Sequence, residues 1–378
     1  MRSSQRRPVC LRAFSPFSNH LQPVASSAAS HLGLVRPLPS RGSGLDCYQR
    51  KEEDELSMKA AVLRTLGKPP RFEEFPDPKP SQGEVIVHVK AASLKNIDKM
   101  MARGSHYDSH RELPVVCGSD GVGTLDDGTR VFCGGSRPPY GMMAERTVVS
   151  RSWCLPIPDG VDDATAAALP NPALSAWLSL VWRAQLKPGE TVLILGGTGV
   201  AGKLASQIAK HLGAGRVVAA GRNEQVLRTL NDLGADATIH LDQSDQELTK
   251  AFIREVGHKP FDVIIDYLWG HPTEVLLDAL IGHDVKAGAS RIRLVEIGEM
   301  AGPTIALPAA ALRSSGLELY GSGGGSIPHS AIFDAFPQVW ALAVSGKLSI
   351  DTEQAPLADV ETAWQREDLP GRRLVVIP

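Results

Sequence analysis

The chain has 378 residues, a formal net charge of −2 at pH 7 and a hydrophobic share of 43%. This length provides enough material for two domains with ordinary cores, and the small net charge argues against a nucleic-acid partner. No apolar run approaches the roughly eighteen residues of a membrane-spanning helix, so we expect neither a membrane nor a nucleic acid as partner.

The first fifty residues differ from the rest, with seven arginines, nine serines, no lysine and a single acid, Asp46. This composition resembles an organellar transit peptide, although Pro8 and Pro16 would interrupt an amphipathic presequence helix. Alternatively, the true start is Met58, which opens the first clear strand, and the upstream stretch is disordered or an artefact of the assigned start. Both interpretations remain open, and residues 1–57 are left out of the predicted fold.

The five cysteines are odd in number and show no paired spacing. They are Cys10, Cys47, Cys117, Cys133 and Cys154. This usage suits a reducing compartment and argues against a disulfide framework. We therefore expect a cytoplasmic protein, or a mitochondrial one if residues 1–57 are a genuine presequence.

From Met58 to about residue 160, the pattern predicts strands separated by turns. Residues 84–92 alternate as a strand does, residues 96–103 predict a short helix, and Asp127-Gly128 indicates a hairpin. Short strands are expected within residues 113–130, and another over residues 147–155. This part of the chain is predicted to be rich in β-structure.

Beyond residue 162 the pattern changes to alternating helices and strands. Helices broken at Pro170 and Pro172 come first, and strands then alternate with helices until residue 297. Such alternation predicts a parallel sheet covered by helices on both faces. The glycine-serine run 321–326 predicts a mobile loop beside the site, and a helix over 329–345 and a strand over 373–377 follow.

A glycine motif lies between the apolar run 192–195 and a helical pattern that begins at Val200. Gly197, Gly199 and Gly202 fit G-x-G-x-x-G, with Thr198, Val200 and Ala201 between them. The first glycine permits the turn, the second permits close approach of a pyrophosphate, and the third permits helix–strand packing. The alternative is a glycine-rich turn without a nucleotide. Because the motif joins a strand to a helix within one β-α-β unit, it predicts a dinucleotide site.

The end of the second strand indicates which nicotinamide cofactor binds. An NAD site has Asp or Glu there to hold the ribose 2′-hydroxyl, whereas this chain has Gly221-Arg222-Asn223. A small residue leaves room for a 2′-phosphate, and the Arg222 guanidinium can pair with it. Lys203 is a second candidate cation. We therefore expect NADPH, with a solvated surface arginine as the alternative interpretation of Arg222.

Ordered motifs from Met58 to Pro378 resemble the medium-chain dehydrogenase/reductase superfamily, specifically its zinc-independent quinone oxidoreductase branch. They are MKAAVL, SLKNIDKMMARG, GSDGVG, LKPGETVLILGGTGVAG and LGAD. The resemblance implies an α/β fold in which a GroES-like catalytic domain, discontinuous in sequence, carries an inserted, doubly wound Rossmann domain. The expected boundaries are 58–177 for the first catalytic part, 178–318 for the Rossmann domain and 319–378 for the return.

The resemblance also bears on metal binding. Zinc alcohol dehydrogenases of this superfamily have a cysteine ligand where this chain has Lys95-Asn96, and Gly-His-Glu where it has Gly118-Ser119-Asp120. His106, His110 and Cys117 would allow an improvised site, but we expect no metal. Without zinc to polarise an alcohol, hydride delivery to an already electrophilic acceptor is the expected reaction.

Three residues are candidates for the chemistry. The resemblance implies that Asn96 is the asparagine of the N-x-x-D motif, although Ile97 replaces its usual proline. Tyr107 resembles a tyrosine of the enoyl thioester reductases, and Asp120 lies in the G-x-D-x-x-G match. Asn96 and Tyr107 would hydrogen-bond an oxyanion, and Tyr107 or solvent would supply the proton. The alternatives are a cleft-lining loop tyrosine and a turn-stabilising carboxylate.

The predicted function is NADPH-dependent transfer of hydride to a small molecule, either a quinone or an α,β-unsaturated carbonyl. One alternative is a mitochondrial-type 2-enoyl thioester reductase, and the other is an NADPH-binding protein with little catalysis. Apolar positions within 331–344 would serve either a homodimer surface or the core. The sequence contains no substrate code.

Overall fold

The computed structural model describes residues 56–281 and 291–378, so the expectations for residues 1–55, including Cys10 and Cys47, lie outside it. The strands are β1 (Ser57–Leu63), β2 (Arg71–Pro76), β3 (Glu84–Leu94), β4 (Val115–Val116), β5 (Asp120–Thr124), β6 (Arg130–Gly134), β7 (Arg146–Ser150), β8 (Cys154–Pro156), β9 (Thr191–Leu195), β10 (Arg216–Gly221), β11 (Ala237–His240), β12 (Val263–Asp266), β13 (Ile292–Glu296), β14 (Leu317–Gly321), β15 (Thr352–Pro356) and β16 (Arg373–Ile377). The helices are α1 (Asn96–Arg103), α2 (Asp163–Ala168), α3 (Pro170–Leu178), α4 (Val200–His211), α5 (Glu224–Thr229), α6 (Asp245–His258), α7 (Gly270–Leu280), α8 (Ala309–Ser314), α9 (His329–Val344) and α10 (Val360–Trp364). None of the helices among these residues combines the length and the apolar character of a membrane-spanning segment.

The β-rich part is built around β3, which pairs with β5, β7 and β16. Along β3, Val87 and Val89 are buried while His88 and Lys90 are exposed, as the alternating pattern predicts. A smaller sheet with the order β2-β1-β4 completes this part. The result is a mainly antiparallel structure of short strands.

The six-stranded sheet has the order β11-β10-β9-β12-β13-β14, and all its neighbours are parallel. Its central strand β9 is buried along its whole length. Val192 and Ile194 pack into one apolar cluster with residues of α3, α4 and α9, whereas Leu193 and Leu195 pack into another with residues of α6 and α7. Helices on both faces therefore bury the sheet, and the predicted α/β fold with a doubly wound sheet is confirmed.

The last part of the chain differs from the expectation in two places. The boundary expected between residues 318 and 319 falls inside β14, which pairs in register with β13 and is the outer strand of the parallel sheet. Strand β15 was not predicted, because its sequence TEQAP is mostly polar and becomes a strand only through parallel pairing with β16. The other domain boundaries stay predictions.

Arg293, in β13, is 3% exposed and ties the parallel sheet to the segment that leads into β9. Its Nη2 donates to Glu190 Oε1 at 2.6 Å, and its Nη1 donates to the carbonyl oxygen of Ala184 at 2.6 Å. Both partners precede β9 in the chain, so the guanidinium fixes the turn that delivers this central strand. Removing one partner of a buried ion pair leaves the other charge and the carbonyl unsatisfied.

We expect Arg293→Met to lower the free energy of unfolding by about 3 kcal/mol, because Glu190 loses its partner in a buried setting. The matched control is Arg291→Met, whose guanidinium forms an exposed pair with Glu318 and whose loss should hardly move the unfolding midpoint. Urea denaturation followed by circular dichroism measures both variants. Equal losses in the two variants would contradict the structural role given to Arg293.

Candidate functional site

A cleft of about 1450 Å³ lies where the parallel strands end. Residues from the ends of β10, β13 and β14 line it, together with Gly196 and residues 198–202 after β9. Residues of α1, of β5 and of the segment before β16 line it as well. The carboxyl edge of an open parallel sheet is the usual place for a ligand in α/β proteins.

The glycine turn between β9 and α4 forms one wall of this cleft. A Cβ atom added at Gly202 would lie 2.3 Å from the carbonyl oxygen of Gly196, so no side chain fits there. At Gly199, just before α4, an added Cβ would meet only that oxygen at 3.4 Å, so the backbone is open towards the cleft. The turn thus packs tightly on its protein side and offers backbone N–H groups on the other, which suits a pyrophosphate. A dinucleotide fits this cradle.

Gly221 and Arg222 lie at the end of β10, directly beside the turn. An added Cβ at Gly221 would come within 2.4 Å of Thr198 Cγ2, which explains why the position requires a small residue. Arg222 is exposed and lines the cleft. Its guanidinium makes no ion pair with the described residues, so its charge is available to a ligand.

Lys203 and Asn223 were expected to contact the cofactor, but their side chains have other partners. Lys203 Nζ forms an ion pair with Asp351 and donates to the carbonyl oxygen of Gly371 at 3.3 Å. The Asn223 side chain caps α5 by accepting a hydrogen bond from the N–H of Val226 at 2.9 Å. Their cofactor roles stay predictions, and the geometry favours Arg222 as the cation for a phosphate.

The segment before β16 closes over the glycine turn, which the sequence did not indicate. An added Cβ at Gly371 would lie 3.0 Å from the carbonyl oxygen of Thr198 and 3.1 Å from Lys203 Cδ. Arg366 and Arg372 of the same segment also line the cleft. This segment is about 170 residues away from the glycine motif in the chain, so no local pattern could relate the two.

At the opposite end of the cleft, Lys95 and Asp120 form a buried ion pair. Lys95 Nζ lies 2.9 Å from Asp120 Oδ1 and 3.3 Å from Asp98 Oδ2, and the Lys95 side chain is 1% exposed. Asp98 also accepts hydrogen bonds from the N–H groups of Lys95 and Ser119, at 2.8 and 3.0 Å. Asp98 therefore holds the backbone of Lys95 and Ser119 in place.

The expectation for Asn96 needs correction on spacing. Asn96 is two residues before Asp98, so the three-residue spacing of N-x-x-D falls on Lys95 instead. Lys95 is buried, whereas Asn96 is exposed at the rim of the cleft, where its Nδ2 lies 3.3 Å from Met300 Sδ. Because α1 begins at Asn96, the change from extended strand to helix sends the two side chains in different directions. A count of the spacing would have identified Lys95.

Tyr107 lies at the mouth of the cleft and is 81% exposed. Its ring packs on His106 with a centroid separation of 4.0 Å. Its hydroxyl is near Gly323 of the run 321–326, where an added Cβ would be 3.8 Å away. The run therefore lies beside the site, while its mobility and the chemical role of Tyr107 stay predictions.

Between the two ends, the cleft has an apolar wall that sequence reasoning did not find. Its members come from β6, α3, α9 and the turn before β8, and they are Phe132, Trp153, Leu178, Ile332 and Phe336. The rings of Phe132 and Phe336 are 5.5 Å apart between centroids. A flat or apolar acceptor fits such a wall.

No group of three or more metal-ligating side chains occurs within residues 56–281 and 291–378. His106, His110 and Cys117, the improvised set, are accordingly not gathered into a metal-ligating group. Burial places the pKa of the Cys117 thiol well above its ordinary range, which disfavours the thiolate that a metal would need.

We expect Gly202→Ala to weaken binding of a nicotinamide dinucleotide by at least about tenfold, since the added methyl group collides with backbone and must displace the turn. The matched control is Gly257→Ala in α6, where an added Cβ meets no atom within 4 Å. Isothermal titration with folded protein measures both affinities. Unchanged affinity in Gly202→Ala would show that the turn is not the dinucleotide cradle.

Comparisons with known proteins agree with this architecture. Residues 81–159 match the alcohol dehydrogenase GroES-like domain, and residues 200–345 match the zinc-binding dehydrogenase family. A probable NADPH-dependent quinone reductase of Emericella nidulans is 26% identical over 361 residues, covering 85% of this chain and 100% of that protein. The chloroplastic NADPH-dependent alkenal/one oxidoreductase of Arabidopsis thaliana is 30% identical over 205 residues, covering 50% of this chain and 51% of that protein.

Among solved structures, the quinone oxidoreductase of Thermus thermophilus, also solved with NADPH, superposes with a TM-score of 0.69 at 27% identity. The match covers 85% of this chain and 100% of that one. The two domain families match in the expected order, and the match to the quinone reductase and to the solved structure covers the whole of each relative. The chain belongs to the medium-chain dehydrogenase/reductase superfamily, in its quinone oxidoreductase branch.

Proposed function

We propose that this protein is a zinc-independent, NADPH-dependent oxidoreductase that transfers hydride to a quinone or an α,β-unsaturated carbonyl. The observation that carries the proposal is one cleft that joins a dinucleotide turn and an uncommitted arginine to an end where an ion pair replaces metal ligands. The relatives named as an NADPH-dependent quinone reductase and an alkenal/one oxidoreductase support it.

Zinc independence rests on the charge of Lys95. Its ammonium group lies among Ser93, Asp98 and Asp120. By the resemblance, Lys95 and Asp120 stand at positions that correspond to the ligand motifs of the zinc enzymes. A divalent cation placed here would be repelled by the ammonium and would find both carboxylates already paired with Lys95. The donor set therefore does not fit zinc, although one matching family is named for it.

The choice of NADPH rests on Gly221 and Arg222. Gly221 leaves no carboxylate to hold a ribose 2′-hydroxyl, and the exposed Arg222 guanidinium faces the cleft without a protein partner among the described residues. A 2′-phosphate would supply that partner through charge-assisted hydrogen bonds. Gly197 to Gly202 would hold the pyrophosphate at the start of α4.

The bound dihydronicotinamide supplies the hydride, and the protein's own groups orient the acceptor and handle the proton. The apolar wall around Phe132 and Phe336 would hold the acceptor and exclude water. Asn96 and Tyr107, at the rim, would donate hydrogen bonds to an oxygen that gains charge, and Asp120 faces the same space from within. These three roles remain part of the proposal.

A second candidate is reduction of a 2-enoyl thioester, favoured by the position of Tyr107. Its exposed hydroxyl at the cleft mouth is placed where a long acyl carrier would enter, and it can donate a proton. An NADPH-binding protein with little catalysis is the remaining alternative, since fold alone does not determine activity.

The function is tested by following NADPH absorbance with a panel of quinones, enones and enoyl thioesters. We expect oxidation with quinones or enones, and rates unchanged within about twofold after dialysis against a zinc chelator, because no metal takes part. Turnover confined to enoyl thioesters, and lost in Tyr107→Phe, would favour the second candidate. Tight binding without turnover on the whole panel would contradict the proposal, and a chelator-sensitive rate would contradict zinc independence.

We expect Arg222→Glu to raise KM for NADPH at least about tenfold while leaving KM for NADH nearly unchanged, since only NADPH carries the phosphate. The matched control is Arg228→Glu, on the exposed face of α5, where the guanidinium pairs with Glu224. Steady-state kinetics with both cofactors provide the comparison. Equal effects on both KM values would rule out Arg222 as the phosphate ligand.

A further inference from the structure

We propose that Lys95 is a positioning residue that makes Asp120 the proton donor of the reaction, with Asp98 holding the pair in place. The inference rests on the proposed function and assigns its proton to a carboxyl group inside the cleft rather than to tyrosine or solvent. It follows from the geometry of four neighbouring side chains: Ser93, Lys95, Asp98 and Asp120.

The Lys95 ammonium group is held from several sides. It donates to the carbonyl oxygen of Ser93 at 2.9 Å, to Ser93 Oγ at 3.2 Å and to Asp120 Oδ1 at 2.9 Å. With its donors engaged and its side chain 1% exposed, Lys95 has none to spare for a substrate. Its effect on an acceptor must therefore pass through Asp120.

Asp120 differs from its neighbour Asp98 in what its oxygens contact. Both oxygens of Asp98 accept backbone hydrogen bonds. Asp120 Oδ1 accepts a hydrogen bond from Lys95 Nζ, while Asp120 Oδ2 accepts no hydrogen bond from the described residues. The Asp120 side chain is 14% exposed, and the surface it exposes lines the cleft. One carboxyl oxygen is thus anchored and the other is open to a ligand.

Ser119 supplies a second, independent sign that this end of the cleft receives a polar atom. Its hydroxyl is buried and has no hydrogen-bond partner among the described residues, although Ser119 lines the cleft. A buried hydroxyl without a partner is costly, and rotation of the Ser119 side chain towards the cleft would let an acceptor oxygen beside Asp120 satisfy it. The carbonyl oxygen of an enone or a quinone is such a group.

Three charged groups act on Asp120: Lys95 just before α1, Asp98 in α1 and Arg373 at the start of β16. The thiol of Cys133 in β6 also faces Asp120, and burial raises the pKa of that thiol, so it is neutral. Burial raises the pKa of the Asp120 carboxyl, Lys95 lowers that pKa, and Asp98 raises it. Burial favours the neutral acid, and Lys95 stabilises the carboxylate that remains after the proton has left.

The step balances in atoms and electrons. The acceptor gains a hydride with its electron pair from the reduced nicotinamide, and its oxygen gains the Asp120 proton. The Asp120 O–H bond breaks as the new O–H bond forms, and the carboxylate regains a proton from water after the product leaves. The cofactor is oxidised and the acceptor is reduced by the same electron pair, and the proton transfer from Asp120 involves no redox change. For an enone, the resulting enol becomes the ketone in solvent.

The test uses the full-length protein and compares the pH dependence of kcat in wild type, Lys95→Met and Asp98→Asn. Because the protonated carboxyl is the active form, kcat falls as pH rises through the pKa of Asp120. Loss of the Lys95 cation should move this fall to higher pH by at least about one pH unit and lower the plateau. Loss of the Asp98 anion should move the fall to lower pH.

Two further variants and a second readout complete the design. Lys90→Met, an exposed lysine of β3, is the matched control and should behave as wild type. Ser93→Ala removes one hydrogen bond from Lys95, and we expect it to raise the pH at which kcat falls by less than Lys95→Met does. This variant replaces Lys95→Met in the test if Lys95→Met does not fold. The Asp120 carboxyl resonance, assigned with Asp120→Asn in protein labelled with carbon-13 aspartate, should titrate with the same displacements without any turnover.

The inference is supported if the pH at which kcat falls moves up in Lys95→Met and down in Asp98→Asn. It is overturned if that pH is unchanged in both variants and activity is lost equally at every pH. Lys95 would then be a structural residue. If wild type fails to oxidise NADPH with any acceptor of the panel, the proposed function is wrong. The titration of the Asp120 resonance still decides whether Lys95 controls the pKa of Asp120.

Discussion

The antiparallel pairing of β16 with β3 is the contact on which the cleft depends. It places Leu374 opposite Leu94 and Val376 opposite Ala92, so the last strand of the chain joins the first long one. Arg373 adds a hydrogen bond from Nη1 to the carbonyl oxygen of Leu94 at 3.0 Å. Since the parallel sheet lies between these strands in the sequence, their pairing holds its carboxyl edge against the β-rich part. The glycine turn and the Lys95–Asp120 pair can then line one cavity.

The two ends of that cavity each have a cation, and the two cations differ in exposure and in their protein partners. At Arg222, an exposed cation has no protein partner among the described residues, which suits an anionic phosphate that arrives with the cofactor. At Lys95, a buried cation is fully satisfied by protein oxygens, so it acts on its neighbours and not on a ligand. The low exposure of Lys95 and Asp120 strengthens the electrostatic effect of this pair. In the proposed function, the exposed charge of Arg222 binds the ligand, whereas the buried charge of Lys95 sets the proton affinity of Asp120.

A feature of the site could be predicted when the residues that form it are close together in the sequence. The glycine turn and Gly221 come from one β-α-β unit of about thirty residues, so their arrangement was readable from spacing. Asn96 was misplaced by one residue because the match was made on residue type, although the spacing to Asp98 pointed to Lys95. The polar pairing of Lys203 with Asp351 could not be foreseen, since a free and a paired lysine look the same in a sequence.

The sequence by itself determined the parallel sheet with its glycine turn, the small residue before Arg222, and the lack of cysteine and histidine at the superfamily's ligand positions. These are local properties of residue type and spacing. Only the tertiary structure decided that residues 366–373 close over the glycine turn, that five scattered apolar residues form one wall, and that Lys95 holds Asp120 rather than solvent. The reason is physical, because burial and partnership depend on chain segments that meet only after β16 has paired with β3.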